Sequence, residues 1–323
     1  MNGEIWVVVE TKGGAVRRVC REALGRAAAL GGRLVAVVLG GDADEAAEAV
    51  APYAPRVLAV AHPLLEDGLA ETWAAVLGEL VAARRPAAVL GGATTRCRGA
   101  FARLAARLGC GYAADVTGLD LAADGRLSAV RPILGGRAYA TIEFRGPMPD
   151  LATLRPGAFT PAATGPAGSI ERVTSAVGVG TSRARIAGRL PVDSGPVDLA
   201  EADVVVAGGR GLRGPEGFRL VETLAAAFGA AVGASRACVD AGWRDHSCQV
   251  GKSGRTVSPK LYVALGISGA VHHRMGMDSA RTIVAINNDP NAPFFKYADY
   301  GIVGDLFEVA PALAAEVRRV KGE

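Results

Sequence analysis

Short apolar runs alternate with longer amphipathic stretches along the first half of the chain. Residues 5–9, 34–39, 57–60 and 88–90 are rich in Val and Leu and flanked by Gly or Pro, which predicts buried strands. Residues 15–30, 44–50, 69–84 and 97–108 carry apolar positions at helical spacing. Strand and helix in regular succession predict right-handed βαβ units and a mainly parallel sheet. Between residues 115 and 159 the texture changes. Asp124-Gly125 lies between apolar runs as a hairpin signal, residues 138–144 read as a strand, and prolines cluster at 147, 149, 156, 161 and 166. This segment is expected to form an antiparallel appendix that closes a first domain.

The polar stretch 181–193, with Pro191 and Pro196, is the expected hinge, near 189–196, between domains of 1–191 and 192–323. Beyond it the alternation resumes. Residues 203–207 predict a strand, then a glycine turn, a helix over 217–228, strands over 261–265, 282–286 and 300–303, and a terminal helix over 310–320. The expected fold class is α/β, with two domains each built on a mainly parallel sheet.

Composition sharpens this picture. Glycine occupies 43 of 323 positions, nearly twice the average share of about 7%. With 50% hydrophobic residues and no strict Gly period, a disordered chain and a collagen are both excluded. The net charge of +4 is spread without a polybasic run, so no nucleic-acid partner is expected. Cys20, Cys97, Cys110, Cys238 and Cys248 form no CxxC pair and no ligand-like spacing with the four histidines. They read as reduced thiols of a cytoplasmic protein, without a metal site. No run of about 18 apolar residues predicts a membrane span, and residues 5–9 read as a first strand rather than a leader.

The candidate chemistry lies in glycine loops of the second domain. Gly209-Arg210-Gly211-Leu212-Arg213-Gly214 is a formal GxGxxG after a strand, the turn that brings backbone amides to a pyrophosphate. Its usual acidic partner about 20 positions on is missing, because residues 229–235 contain no carboxylate. That weakens a nicotinamide-dependent dehydrogenase. Gly251-Lys252-Ser253 lacks the upstream glycine of a P-loop, since position 246 is His, although Lys252 and Ser253 could still meet an anion. The loop from Gly266 to His273 again follows a strand and could offer amides to a phosphate. Segments 208–214, 233–236, 251–254 and 266–270 together exceed what turns alone require.

Several of these segments carry a resemblance. Val205-Val206-Ala207-Gly208-Gly209-Arg210-Gly211-Leu212 is followed by Val232-Gly233-Ala234-Ser235-Arg236, Val239-Asp240-Ala241-Gly242-Trp243 and Gln249-Val250-Gly251-Lys252-Ser253-Gly254. Leu265-Gly266-Ile267-Ser268-Gly269-Ala270, Val284-Ala285-Ile286-Asn287, Asp289-Pro290, Ala298-Asp299-Tyr300-Gly301 and Gly304-Asp305-Leu306 complete the series. In order and spacing, about residues 203–309 resemble the FAD-binding domain of the electron-transfer flavoprotein alpha-subunit family. A weaker resemblance extends upstream through Gly91-Gly92-Ala93-Thr94, Arg103-Leu104-Ala105-Ala106 and Leu154-Arg155-Pro156-Gly157-Ala158-Phe159.

The resemblance implies a doubly wound, DHS-like C-terminal domain holding one FAD, and an adenine-nucleotide α-hydrolase-like N-terminal domain used for subunit contact. It implies a heterodimer with a beta subunit, in which any AMP or second FAD resides. Donors would be flavin dehydrogenases such as acyl-CoA dehydrogenases, and the acceptor a membrane quinone oxidoreductase. The chain would then be an electron carrier, with its second domain swinging between donor and acceptor. The family also implies an alternative: an electron-bifurcating complex using NADH, ferredoxin or flavodoxin, and quinone or an enoyl-CoA. A nucleotide-binding module without redox activity is a further alternative.

Carried over by residue, the resemblance assigns Arg210, Ser235 and Gln249 to the cofactor site and lays Arg236 against the isoalloxazine ring. Val250, Gly251, Lys252 and Ser253 would line the flavin, with Ser253 Oγ near N5. Ser268, Gly269, Ala270, Val271, His272 and His273 would bind the pyrophosphate through loop amides, His273 also approaching the pyrimidine carbonyl. Asn287, Asp305 and Leu306 would hold the ribityl and adenosine portions. Arg236 and a partly protonated His273 would favour negative charge on the N1–C2=O edge of a reduced flavin. Lys252-Ser253-Gly254-Arg255 stands where the family commonly has Gln-Thr-Gly-Lys, and His272 and Arg274-Met275 replace a usual Gln and small apolar residues. Ser253 keeps the hydroxyl, and Lys252 adds positive charge that would raise the flavin potential.

Overall fold

A computed structural model describes residues 3–66, 68–178, 182–188 and 198–322. The chain divides into two compact units, Met1–Arg189 and Leu190–Glu323. The expected hinge near 189–196 lies outside the described residues, apart from neighbouring positions 182–188.

The first unit begins with β1 (Glu4–Val9), a two-stranded ribbon of β2 (Thr11–Lys12) and β3 (Ala15–Val16), α1 (Arg18–Ala29), β4 (Arg33–Gly40), α2 (Ala43–Val50) and β5 (Arg56–Ala61). It continues through α3 (Ala70–Arg84), β6 (Ala88–Gly92), α4 (Thr95–Leu108), β7 (Tyr112–Val116), β8 (Gly118–Leu121), β9 (Leu127–Ile133), β10 (Ala138–Glu143), β11 (Asp150–Leu154) and β12 (Ser169–Arg172). Seven strands form one sheet in the order β12-β5-β4-β1-β6-β11-β7, and every neighbouring pair is parallel. Alternation along β1 supplies both faces. Ile5, Val7 and Val9 pack with Val19 and Leu24 of α1, whereas Trp6 and Val8 pack with Trp73 of α3 and Phe101 of α4.

Three expectations need correction here. The first helix starts at Arg18 rather than 15, because Gly13 and Gly14 adopt left-handed φ of 57° and 76° and turn Ala15–Val16 back onto Thr11–Lys12. The antiparallel appendix is confined to the sheet β10-β9-β8. β7 and β11 instead enter the main parallel sheet, where β11 is buried throughout. Its leading Asp150 is compensated by Arg126, whose Nε donates to Oδ2 at 3.3 Å, and by the Leu127 amide at 3.0 Å.

The second unit contains β13 (Val204–Gly208), α5 (Phe218–Phe228), β14 (Ala231–Ala234), α6 (Arg236–Asp240), β15 (Leu261–Leu265), α7 (Val271–Arg274), β16 (Thr282–Asn287), β17 (Tyr300–Val303) and α8 (Leu306–Lys321). Its five strands run parallel in the order β14-β13-β15-β16-β17. The expected mainly parallel α/β architecture therefore holds in both units. Phe218, Val221 and Leu224 of α5 pack with Ala310 and Ala314 of α8 on one face, and Tyr262 and Phe294 anchor the other. The terminal helix starts at Leu306 rather than 310. Asp305 caps it by accepting from the Phe307 amide at 2.9 Å, and Pro311 lies within it. A proline favours the first helical turn, so Pro311 makes the start look later than it is.

Candidate functional site

Strand order in the second unit reverses at β13, which has β14 on one side and β15 on the other. Open parallel sheets place ligands beyond the carboxyl ends of the strands at such a point. A cavity of about 500 Å³ lies there, walled by the loops that follow β13, β14, β15 and β16 and by residues 249–253.

The GxGxxG turn forms part of that wall, but its amides already have acceptors. Gly209 N donates to Leu265 O at 2.9 Å and Gly211 N to Gly266 O at 3.0 Å. A Cβ on Gly209 would sit 2.3 Å from Gly266 O, and one on Gly211 would sit 2.7 Å from Gly266 Cα. These glycines let two loops pack backbone to backbone. The segment closes only a short turn, Arg210–Leu212, and α5 does not begin until Phe218. Gly251-Lys252-Ser253 is likewise tied down, with Gly251 N on Arg255 O at 3.2 Å and Lys252 N on His272 O at 2.7 Å. Neither segment wraps a phosphate as a nicotinamide turn or a P-loop does.

The loop after β15 differs. Among the described residues, the amides of Ser268, Gly269, Ala270, Val271 and His272 have no recorded backbone acceptor. The loop is held from outside by Phe294 N donating to Ser268 O at 3.1 Å and Arg274 Nε donating to Gly269 O at 3.2 Å. The Arg274 guanidinium carbon lies 3.5 Å from the Tyr297 ring centroid. Gly269 is at φ +86°, and a Cβ there would meet Phe294 N at 2.5 Å. Consecutive free amides held in this way make a concavity suited to an anion.

Side chains complete the wall. Arg210, Arg236, Lys252 and His272 are exposed at the cavity, and Arg236 Nε reaches Asp240 Oδ2 at 3.2 Å one helical turn away. Ser235, largely buried, donates its hydroxyl to Cys238 Sγ at 3.3 Å. Gln249 Nε2 donates to Ser253 Oγ at 3.0 Å. Asn287 donates to Ile267 O at 3.2 Å and accepts from the Asp289 amide at 3.1 Å.

His273 is buried, with Tyr262 Oη 2.9 Å from Nε2 and with Nδ1 lacking a hydrogen-bond partner. Burial lowers its pKa to about 4, and the neighbouring Val250 backbone offsets only part of that shift. The expected partly protonated imidazole is therefore corrected to a neutral one at pH 7. Burial behind Tyr262 and Phe294 is the reason.

The cavity gathers Arg210, Ser235, Arg236, Gln249, Val250, Gly251, Lys252, Ser253, Ser268, Ala270, His272, His273 and Asn287. Four expected residues lie off its wall. Gly269 faces Phe294 and Val271 is turned to solvent. Asp305 caps α8 and pairs with Arg213 at 3.3 Å, and Leu306 is buried near Gly266. Asp240 and Asp289 line the cavity without having been expected. The four-residue spacing from Arg236 to Asp240 on one helix was the available signal for the first.

The electron transfer flavoprotein domain matches residues 5–178, and the electron transfer flavoprotein FAD-binding domain matches residues 198–278. The chain is 41% identical to the electron transfer flavoprotein subunit alpha of Thermoanaerobacterium thermosaccharolyticum, over 98% of each chain. It is 37% identical to the subunit of the same name from Bacillus subtilis, over 99% of each. It is 42% identical to the protein FixB of Azorhizobium caulinodans, over 97% of this chain and 88% of that one. No helix among the described residues is long and apolar enough to cross a membrane.

Proposed function

Because the chain belongs to the family of electron transfer flavoprotein alpha subunits, we propose that it is the FAD-carrying half of a heterodimeric electron carrier of the cytoplasm. It takes single electrons from flavin dehydrogenases, such as acyl-CoA dehydrogenases, and delivers them to a membrane quinone oxidoreductase. The beta subunit is its partner, and any AMP or second FAD belongs to that subunit.

The observation that carries this reading is one cavity wall that joins the free loop amides of Ser268, Ala270 and His272 with Arg210, Arg236 and Lys252. Amides and cations suit a diphosphate at one end and a ring that gains negative charge at the other. FAD supplies one-electron transfer chemistry when bound. This chain's residues do the remaining work. The Ser268, Ala270 and His272 amides would hold the phosphates, Asn287 would hold the ribityl and adenosine portions, and the Ser253 hydroxyl would offer the ring a hydrogen bond. Arg236 and Lys252 supply the positive charge that favours reduction.

The test is the visible spectrum and flavin count of the heterodimer purified from co-expression. A yellow complex whose flavin is retained less well by Arg236→Ala agrees with the proposal. A colourless, flavin-free complex that also fails to take up added FAD overturns it.

A further inference from the structure

Two successive carbonyls of the loop after β15 are bonded to groups that do not line the cavity. Ser268 O accepts from the Phe294 amide at 3.1 Å, and Gly269 O accepts from Arg274 Nε at 3.2 Å. A trans peptide is planar, with its C=O and N–H on opposite sides. The bond from Arg274 to Gly269 O therefore turns the other end of that peptide, the Ala270 N–H, the opposite way. Ala270 is exposed at the cavity wall, and its amide has no backbone acceptor among the described residues.

This peptide needs an external hold. Gly269 sits at φ +86°, and a glycine has little torsional preference of its own, so the peptide that follows it can turn over at small cost. Turned over, it would offer a carbonyl oxygen where the N–H now lies, and would repel an anion. The close approach of Phe294 N, 2.5 Å from a Cβ built on Gly269, fixes where the glycine lies but not the peptide beyond it.

Arg274 is itself well placed for that task. It is half-buried at the end of α7, its amide donates to Ala270 O at 3.1 Å, and its guanidinium carbon lies 3.5 Å from the Tyr297 ring centroid. The Tyr297 amide in turn donates to Phe294 O at 3.0 Å. One short segment, 294–297, thus carries both the amide that holds Ser268 O and the ring that holds Arg274. A planar guanidinium can stack by its face and donate from its edge at once.

We propose that Arg274 is a positioning residue for the anion-binding loop: stacked on Tyr297, it holds Gly269 O away from the cavity and so keeps the Ala270 N–H facing it as a donor to a diphosphate oxygen. The identity of that ligand rests on the FAD reading above, whereas the peptide orientation is a property of the chain. Arg274 acts through the loop rather than by touching the ligand. Its loss should be felt by a flavin that carries a diphosphate and not by one that lacks it.

The experiment uses the heterodimer with the beta subunit, depleted of flavin, in which this chain carries Arg274→Met or Tyr297→Leu. The first keeps the length of the stem and removes the donor; the second removes the ring and leaves every charge in place. Crystal structures of the flavin-free variants give the orientation of the Gly269–Ala270 peptide. Fluorescence titration gives the affinities for FAD and for riboflavin, which has no diphosphate. In Arg274→Met the peptide should be turned over or split between two orientations. FAD binding should weaken about tenfold, the scale of one net hydrogen bond, with riboflavin binding unchanged. Tyr297→Leu should show a smaller loss of the same selective kind. An unmoved peptide in Arg274→Met overturns the proposal, as does an unchanged FAD affinity or an equal loss of FAD and riboflavin. A loss in Arg274→Met with none in Tyr297→Leu also overturns it, because attraction by the cation would then suffice. Should Arg274→Met fail to assemble, Tyr297→Leu decides on the same two readouts. If the peptide turns as expected and the unmodified heterodimer takes up neither flavin, the role of Arg274 stands and the FAD reading falls.

Discussion

The side-chain amide of Gln249 donates to the Ser253 hydroxyl at 3.0 Å, and both residues line the cavity. Gln249 is buried, so the bond is held in one geometry. With a lone pair of Oγ occupied, the Ser253 proton is left to donate elsewhere, which is the orientation a flavin N5 acceptor needs. Gln249→Met keeps the volume and removes the amide. It should weaken FAD binding about five-fold, roughly 1 kcal/mol. Ser253→Ala should do the same, and the double variant should cost little more than either single one, because both act through one contact. Fully additive losses, measured by fluorescence titration of the flavin, would contradict this coupling.

The three glycines of the GxGxxG turn should respond differently to alanine. Gly209 and Gly211 face the Gly266 backbone at 2.3 and 2.7 Å from a built Cβ, and backbone cannot swing aside. Gly214 is extended at φ 177°, and its added Cβ meets only the flexible end of Glu216 at 3.0 Å. Gly209→Ala and Gly211→Ala should each lower the stability of the second unit by about 1–3 kcal/mol, while Gly214→Ala should change it little. In a dinucleotide turn the third glycine is also needed, for close helix packing. Equal sensitivity at all three positions, read from thermal unfolding, would argue for that role instead.

The Asp150 carboxylate is fully buried at the head of β11 and rests on Arg126 and the Leu127 amide. Removing the cation alone leaves a buried charge uncompensated. Arg126→Met should therefore destabilise the first unit by about 3–5 kcal/mol. Adding Asp150→Asn to that variant should restore part of the loss, since the uncompensated charge disappears. Chemical denaturation monitored on the Trp6 and Trp73 fluorescence would show both effects, and a double variant no better than Arg126→Met would exclude the charge explanation.

That same aspartate shows where the chain's pattern stops being legible. Strands such as β1, β4 and β13 are buried on both faces and stand out as unbroken Val-rich runs. β11 is equally buried, but it opens with a charge and follows Pro147 and Pro149, so its neighbourhood reads as a loop. β14, Ala-Val-Gly-Ala, is too short and too small-sided to register as a strand. At the site, the order of glycine loops picks out most of the cavity wall. Which amides are free does not follow from that order, because Gly209 and Gly211 find acceptors more than fifty residues away on another loop. Nor does the charge of His273, which depends on burial by Tyr262 and Phe294.

That burial makes a prediction about acid. The His273 pKa falls from the ordinary 6.5 to about 4 in the folded chain. Unfolding restores the ordinary value, so between pH 6.5 and 4 the unfolded chain binds a proton that the folded chain does not. Stability therefore increases with pH across this window and is fully present above pH 6.5. Descending to pH 4 should cost about 3 kcal/mol through this residue alone. His273→Gln removes the titration and also the Tyr262 contact. The flavin-free variant should thus be less stable than the parent at pH 7 by about 1 kcal/mol, yet match or exceed it near pH 4.5. Urea midpoints of the second unit's transition at three pH values would show the crossing. Parallel profiles would mean that folding leaves the His273 pKa at its ordinary value, contrary to its burial.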